Sequence, residues 1–399
     1  MKKLVIVSSI WLIFLVPPAM DVLSNLNIIP AQLSNLVVVF PLLLLFMYLL
    51  VFLEASIRVR KIEIIFLFFI VNVALVGLIN GASFSFVLKD MAVLGIGPLA
   101  FILGRSCARS NVVSAEFVKE SARRIGLFFF MVLLVYPYIS IVHLLIFVRK
   151  SLDPKNCLVL AALIASVVIT SSKSIVLALL LWIFLTEGWK KKLSIVLVSA
   201  VVGFGISAFF QDSDLTIVRK TLAFLDSFSL EELIFILSNI DPSAVWSFDT
   251  ATAQRLYEFL LVLQNIDFTS CVFGHGLGYG IDLRDSQDQS IEVRMTEGGL
   301  EDVRSFHLIF SWLLAKTGVL GFLLVVLYLR FVWRSIRHDQ IFVVLFSIFV
   351  SLAIVTFGGF SLNYPYLFIL GYLGYIRNAG VASAQATLTR IEIGHRAPA

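Results

Sequence analysis

Most of the side chains equipped for chemistry in this sequence stand between residues 250 and 322. Arg255 and Glu258 lie three apart in Thr252-Ala253-Gln254-Arg255-Leu256-Tyr257-Glu258, a spacing that puts both on one helical face. A surface ion pair is the simplest use of that spacing, and an arginine offered to an anionic substrate is the functional one. Next comes Phe273-Gly274-His275-Gly276-Leu277-Gly278-Tyr279-Gly280. The alternate glycines Gly274, Gly276 and Gly278 let backbone approach backbone or ligand closely, and successive N–H groups can receive an anion. No strand and helix flank it as a dinucleotide fingerprint requires. A flexible turn and a loop that shapes a site remain equally open.

Arg304 and His307, in Arg304-Ser305-Phe306-His307, open an apolar segment and share a helical face at its start. Ionisable groups at a membrane surface are functional candidates because a lone charge facing lipid is costly. A histidine changes charge near neutral pH, which suits a general base; an interfacial histidine beside a snorkelling arginine is the common alternative. In Lys316-Thr317-Gly318-Val319-Leu320-Gly321 the small residues three apart fit close helix packing. Lys316, nine positions beyond His307, falls near the opposite face and is not pooled with it. Lys173 stands among serines in Thr170-Ser171-Ser172-Lys173-Ser174. If that break reaches the outer surface, its cation joins Arg255 and Arg304; if it faces the cytoplasm, it is one more positive-inside lysine. Lys89-Asp90 reads as a buried pair or a register marker rather than a catalytic pair, and His143 as an interior histidine.

The elements that must position these residues are helices in lipid. The 399 residues are 59% hydrophobic and 14% charged, which excludes an ordinary soluble domain. A hydrocarbon core about 30 Å thick takes roughly 20 apolar residues per crossing. Apolar segments run at about 4–20, 35–54, 62–79, 86–104, 126–148, 157–170, 174–187, 192–210, 307–329, 341–357 and 360–376. The expected fold is therefore an all-α polytopic membrane protein of about 10–11 spans. The N-terminal run is read as an uncleaved first helix. The short pair 157–170 and 174–187 is read as broken or re-entrant, which restores an even number of crossings.

Charge orients the array. Residues 211–305 hold 16 acidic and 6 basic residues, a net of −10, and the rest of the chain is +15. Basic clusters at Arg58–Lys61, Arg105–Arg124, Lys190–Lys192, Arg330–Arg337 and from Arg377 onward are placed in the cytoplasm with both termini. The acidic stretch becomes one large outer loop. The division is 1–210 membrane helices, 211–305 outer loop, 306–376 membrane helices and 377–399 cytoplasmic tail. Nucleic acid has no place in this reading, because the basic residues follow the spans. Cys107, Cys157 and Cys271 lack disulfide or metal spacing. Asp282, Asp285 and Asp288 read as a solvated acidic face, with cation binding as the minor alternative.

This order of features resembles the O-antigen ligase and O-antigen polymerase family of bacterial membrane glycosyltransferases: many spans, a Ser-cation-Ser break, an outer loop with a central arginine, a glycine-rich stretch, then a histidine before a Gly-x-x-Gly helix. The resemblance implies a GT-C-like fold in the bacterial inner membrane and a periplasmic site for undecaprenyl-diphosphate-linked oligosaccharide. It implies Arg255 and His307 as catalytic residues, with Lys173, Arg255 and Arg304 on the diphosphate and no metal or cofactor. The outer loop lacks a clustered Asp-x-Asp or His/Cys ligand set, in keeping with that. Membrane lipid, a chain-length regulator and a flippase are the implied partners. Lysine at 173, where the family usually has arginine, and Leu308, where ligases often carry asparagine, favour a repeat-unit polymerase over a ligase acting on lipid A core. A flippase or transporter is the alternative of another class; such proteins commonly show two pseudo-repeated halves, whereas this chain has one lopsided loop.

Overall fold

A computed structural model describes residues 2–25, 28, 31–52, 57, 59–110, 113–133, 235, 250–282, 302–303, 309–337, 340–355, 364–377 and 379. These residues form α1 (Lys2–Asn25), α2 (Ala31–Phe52), α3 (Lys61–Ile79), α4 (Phe84–Ser110), α5 (Ala115–Leu133), α6 (Thr250–Gln264) and α7 (Phe268–Phe273). After them come β1 (Ile281–Asp282), β2 (Asp302–Val303), α8 (Ile309–Ile336), α9 (Gln340–Val355) and α10 (364–377). The expected segments 157–170, 174–187 and 192–210, and the C-terminal tail beyond 379, lie outside the described residues.

Among the described residues, three helices, α3, α4 and α8, are long and apolar enough to cross a membrane. Their sequences carry apolar residues all round rather than on one stripe, as lipid contact on one side and helix contact on the other requires. On α3, Phe66, Ile70, Val73, Ala74 and Gly77 are buried, whereas Ile65, Phe68 and Leu75 are more than half exposed. The buried stripe meets α4 and α8, and α2 also packs on α4. Outside this trio, α1 packs against α2 and α5, and α9 against α8. Helix α10 crosses α4 where glycines face backbone: a Cβ on Gly104 would overlap the Phe368 carbonyl, and one on Gly371 the Phe101 carbonyl. Small residues at such a crossing allow the close approach from which helices in lipid gain their contact energy.

Two spans run further than hydropathy alone implies. Helix α4 continues past residue 104 to Ser110 because Arg105 is neutralised within the bundle. Its two terminal nitrogens, Nη1 and Nη2, each donate at 2.8 Å to the two oxygens of Glu63 on α3. Glu63 is fully buried, and this bidentate geometry satisfies the charges of both residues. Helix α8 likewise runs through the basic cluster to Ile336, with Arg330 and Arg334 exposed. Helix α5 starts within the basic stretch, eleven residues before the apolar run, and Glu120 there is bridged by Arg123 and Arg124.

Direction follows from chain order. Helix α3 runs from Lys61 to Ile79, while α4 runs back from Phe84 to Ser110. Arg60, Arg105 and Ser335 therefore stand at one end of the trio, and Gly77, Asp90 and Lys316 towards the other.

Candidate functional site

The glycine-rich stretch is neither a free turn nor a surface loop. Gly274 ends α7 at φ 74°, and Gly276 and Gly278 also have positive φ, 96° and 83°. All three are buried. A Cβ on Gly274 would overlap the backbone of Lys316 and Thr317, and one on Gly276 the backbone of Gly77. The alternation of glycines thus serves backbone-to-backbone contact, with the loop wedged between α3 and α8.

The wedge is held by hydrogen bonds to helix carbonyls. His275 N–H donates to Ala315 O at 2.9 Å, Gly276 N–H to Lys316 O at 3.0 Å and Leu277 N–H to Val73 O at 3.1 Å. Two of these acceptors exist because α8 is broken. Gly318 has φ 64° and ψ −171°, so the carbonyls of Ala315 and Lys316 lose their helical partners four residues on. The loop N–H groups replace them, and a buried backbone acceptor unpaired in lipid would cost several kcal/mol. Gly318 is therefore the break that receives the loop. The packing role expected of the Gly-x-x-Gly pair falls to Gly321, where a Cβ would collide with Thr317 and Phe69.

Beneath the loop lies an ion pair. Gly278 N–H donates at 2.6 Å to Oδ2 of Asp90, and Lys316 Nζ donates to the same oxygen at 2.5 Å. The two side chains are 4% and 1% exposed, so the pair is sealed. Lys316 also stands 5.2 Å from the ring centre of Trp312. Six residues into α4 and seven into α8, the pair sits about 9–10 Å inside the ends of those helices. Asp90 is buried, as its neighbourhood in sequence implied, but its partner is Lys316 on another helix and not Lys89 beside it.

Flanking groups tie α7 and the loop together. Asp267 caps α7, accepting from Ser270 N–H at 2.7 Å and from the Ser270 hydroxyl at 2.5 Å. The Ser270 hydroxyl, then its N–H, hold the Asp267 carboxyl below the usual carboxylate range, with a smaller contribution from nearby His275. His275 stacks on Tyr279 with ring centres 4.1 Å apart, and its carbonyl accepts from Asn80 Nδ2 at 2.9 Å. Burial raises the Tyr279 hydroxyl above its ordinary value.

Arg255 lies on α6, which packs against α8. Tyr257, Leu260, Leu261 and Val262 bury the helix's apolar face. Arg255 is half-buried, and its Nε is enclosed without a hydrogen-bond partner among the described residues. Glu258 is 2% exposed, and no ion pair joins it to Arg255 among the described residues. The surface bridge suggested by their spacing does not form, because this face of α6 turns inward at Glu258.

Residues 281–282 and 302–303 pair in a short antiparallel ladder, Ile281 opposite Val303 and Asp282 opposite Asp302. Asp282 is thus on a strand, so the helical spacing that grouped it with Asp285 and Asp288 does not apply to it. Lys173, Arg304, His307, His143, Cys157, Asp285 and Asp288 lie outside the described residues. Among the expected site residues, Arg255, Gly274, Gly276 and Gly278 are described; Gly274 packs on Lys316, Gly276 on Gly77, and Gly278 on Ala82 and Val87 with its N–H on Asp90. The contribution of Asp90 and Lys316 was missed because a pair 226 positions apart leaves no spacing to read. An aspartate and a lysine, each inside an otherwise apolar segment, were the available signal.

No family model, characterised protein or solved structure matches this chain.

Proposed function

We propose that this protein is a polymerase that joins undecaprenyl-diphosphate-linked oligosaccharide repeat units at the outer face of a bacterial inner membrane. The observation that carries the reading is Arg255, a half-buried guanidinium whose enclosed Nε has no partner among the described residues and which Glu258 does not bridge. An arginine so placed retains hydrogen-bonding capacity for an incoming anion, and a diphosphate is the anion suited to its planar fork. The ordered set of Lys173, Arg255, the glycine loop, Arg304 and His307 in the sequence supports the same reading.

The chemistry is a displacement at the anomeric carbon of the donor sugar. His307 takes the proton of an acceptor hydroxyl, whose oxygen bonds to that carbon. The bond from the carbon to the diphosphate oxygen breaks, and the lipid diphosphate leaves with the electron pair. Arg255, Arg304 and Lys173 offset the charge that grows on the leaving group, a stabilisation that strengthens where water is scarce. The wedged glycine loop holds α8 in place through its bonds to Ala315 and Lys316.

The test is chain growth from purified lipid-linked repeat units by the reconstituted full-length protein. Arg255→Ala and His307→Ala are each expected to abolish long chains at unchanged protein level. Normal chain lengths in both variants would remove the assignment. Transfer of finished glycan to lipid A core without chain growth would select a ligase, and substrate movement across vesicles without a new glycosidic bond would select a transporter.

A further inference from the structure

A second cationic site lies at the other end of the bundle, remote from the glycine loop. A cavity of about 190 Å³ is lined by Arg60, Phe101, Arg105, Ser335, Gly374 and Tyr375, together with neighbouring apolar residues of α10. It is formed where the end of α4 and the end of α8 meet α10, and Arg60 closes it from the start of α3. Its volume is below the roughly 300–1,000 Å³ of sites for drug-sized molecules, so it suits a small headgroup.

Among the described residues, the charge around it is unbalanced. Glu63 neutralises Arg105 through the bidentate pair, and its Oε2 also accepts the backbone N–H of Arg60 at 2.6 Å. The Arg60 guanidinium is instead held 5.2 Å above the Phe331 ring, an arrangement that fixes its position without cancelling its charge. Burial, then the charge of Arg105, hold Arg60 below the usual arginine value, with Glu63 opposing them. An arginine remains protonated under such pressure, so the local field is one an anion would relieve. Lys61 and Arg334, both exposed, add positive charge at this end. Apolar walls from Phe101 and α10 next to a fixed guanidinium fit a phosphate that carries an acyl tail. Basic pockets between helix ends are a known means of holding lipid headgroups.

We propose that the cavity bounded by Arg60, Arg105, Ser335 and Tyr375 binds a phosphate group, that of an anionic phospholipid in the adjoining leaflet or free phosphate, with Arg60 as its principal contact. The site is separate from the outer chemistry and does not depend on it.

The full-length protein in a zwitterionic detergent would be titrated with dioctanoyl phosphatidylglycerol and, separately, with inorganic phosphate, reading the thermal unfolding midpoint. A saturable rise with either probe is expected. Saturation by the lipid at much lower concentration identifies the leaflet as the source, and equal potency identifies free phosphate. Arg60→Gln should weaken binding about tenfold or more, as loss of a charge-assisted contact does. Arg330→Gln, an exposed charge at the same end, should leave binding unchanged. Gly374→Leu places a side chain beside Ser335 and Ile336 without altering charge, and should also abolish saturation. No saturable response to either probe, equal weakening by Arg330→Gln and Arg60→Gln, or undiminished binding in Gly374→Leu would each overturn the proposal.

Discussion

Asp90 on α4 and Lys316 on α8 form a 2.5 Å ion pair, and the same Asp90 oxygen accepts the backbone N–H of Gly278 at 2.6 Å. One carboxylate thus fastens two spanning helices and the glycine loop between them. Buried pairs of this kind contribute little net stability relative to an apolar pair, but losing one partner leaves an uncompensated charge.

Asp90→Ala and Lys316→Met should each destabilise the protein by about 3–5 kcal/mol. The double variant Asp90→Leu with Lys316→Met should recover most of that loss. Thermal or denaturant unfolding in detergent checks this, and a double variant no better than the singles would contradict it.

Glycine positions should divide sharply. Gly276→Ala adds a methyl group against Gly77 at φ 96°, combining about 1–3 kcal/mol of backbone strain with a similar overpacking cost. Gly374→Ala meets its nearest atom at 3.4 Å inside a helix and should be neutral or stabilising by up to about 1 kcal/mol. Expression level and unfolding midpoint of the two variants decide the matter.

At the basic end, Arg105→Lys should fail to replace arginine. A lysine keeps the charge but makes one contact where the guanidinium makes two parallel bonds to the Glu63 oxygens. A midpoint equal to that of the unmodified protein would show that the fork has no special role.

The cap of α7 should depend on pH. Because Asp267 titrates lower in the folded protein than in the unfolded chain, its contribution is fully present above the ordinary carboxylate value. It is lost as pH falls through the lowered folded value. Carboxyl carbon NMR, with Asp267→Asn identifying the resonance, should give a midpoint below the ordinary aspartate value. Ser270→Ala should move that midpoint up.

For the proposed chemistry, Arg255→Lys should retain part of the activity that Arg255→Ala loses, because charge persists while the bidentate fork is gone. The loss in Arg255→Ala should be about 100-fold in turnover, the upper end of the scale of one charged hydrogen bond at the reacting end, which leaves no long chains. Comparable rates for the two substitutions would point to a packing role for Arg255.

The sequence by itself determined that the chain holds apolar helices long enough to cross a membrane, three of them among the described residues, because composition and run length are local properties and lipid demands helices. It also made Arg255 and the alternate glycines stand out against their surroundings. Only the tertiary structure decided how several of them are used. Periodicity read the Gly318 and Gly321 spacing as helix packing, yet Gly318 is a break whose freed carbonyls bind the loop. Hydropathy ended α4 at residue 104, yet Glu63 lets it carry Arg105 inward. The physical reason is the same in each case. A buried charge or an open backbone carbonyl is tolerated only with a partner, and for Asp90 and Lys316 that partner is 226 residues away.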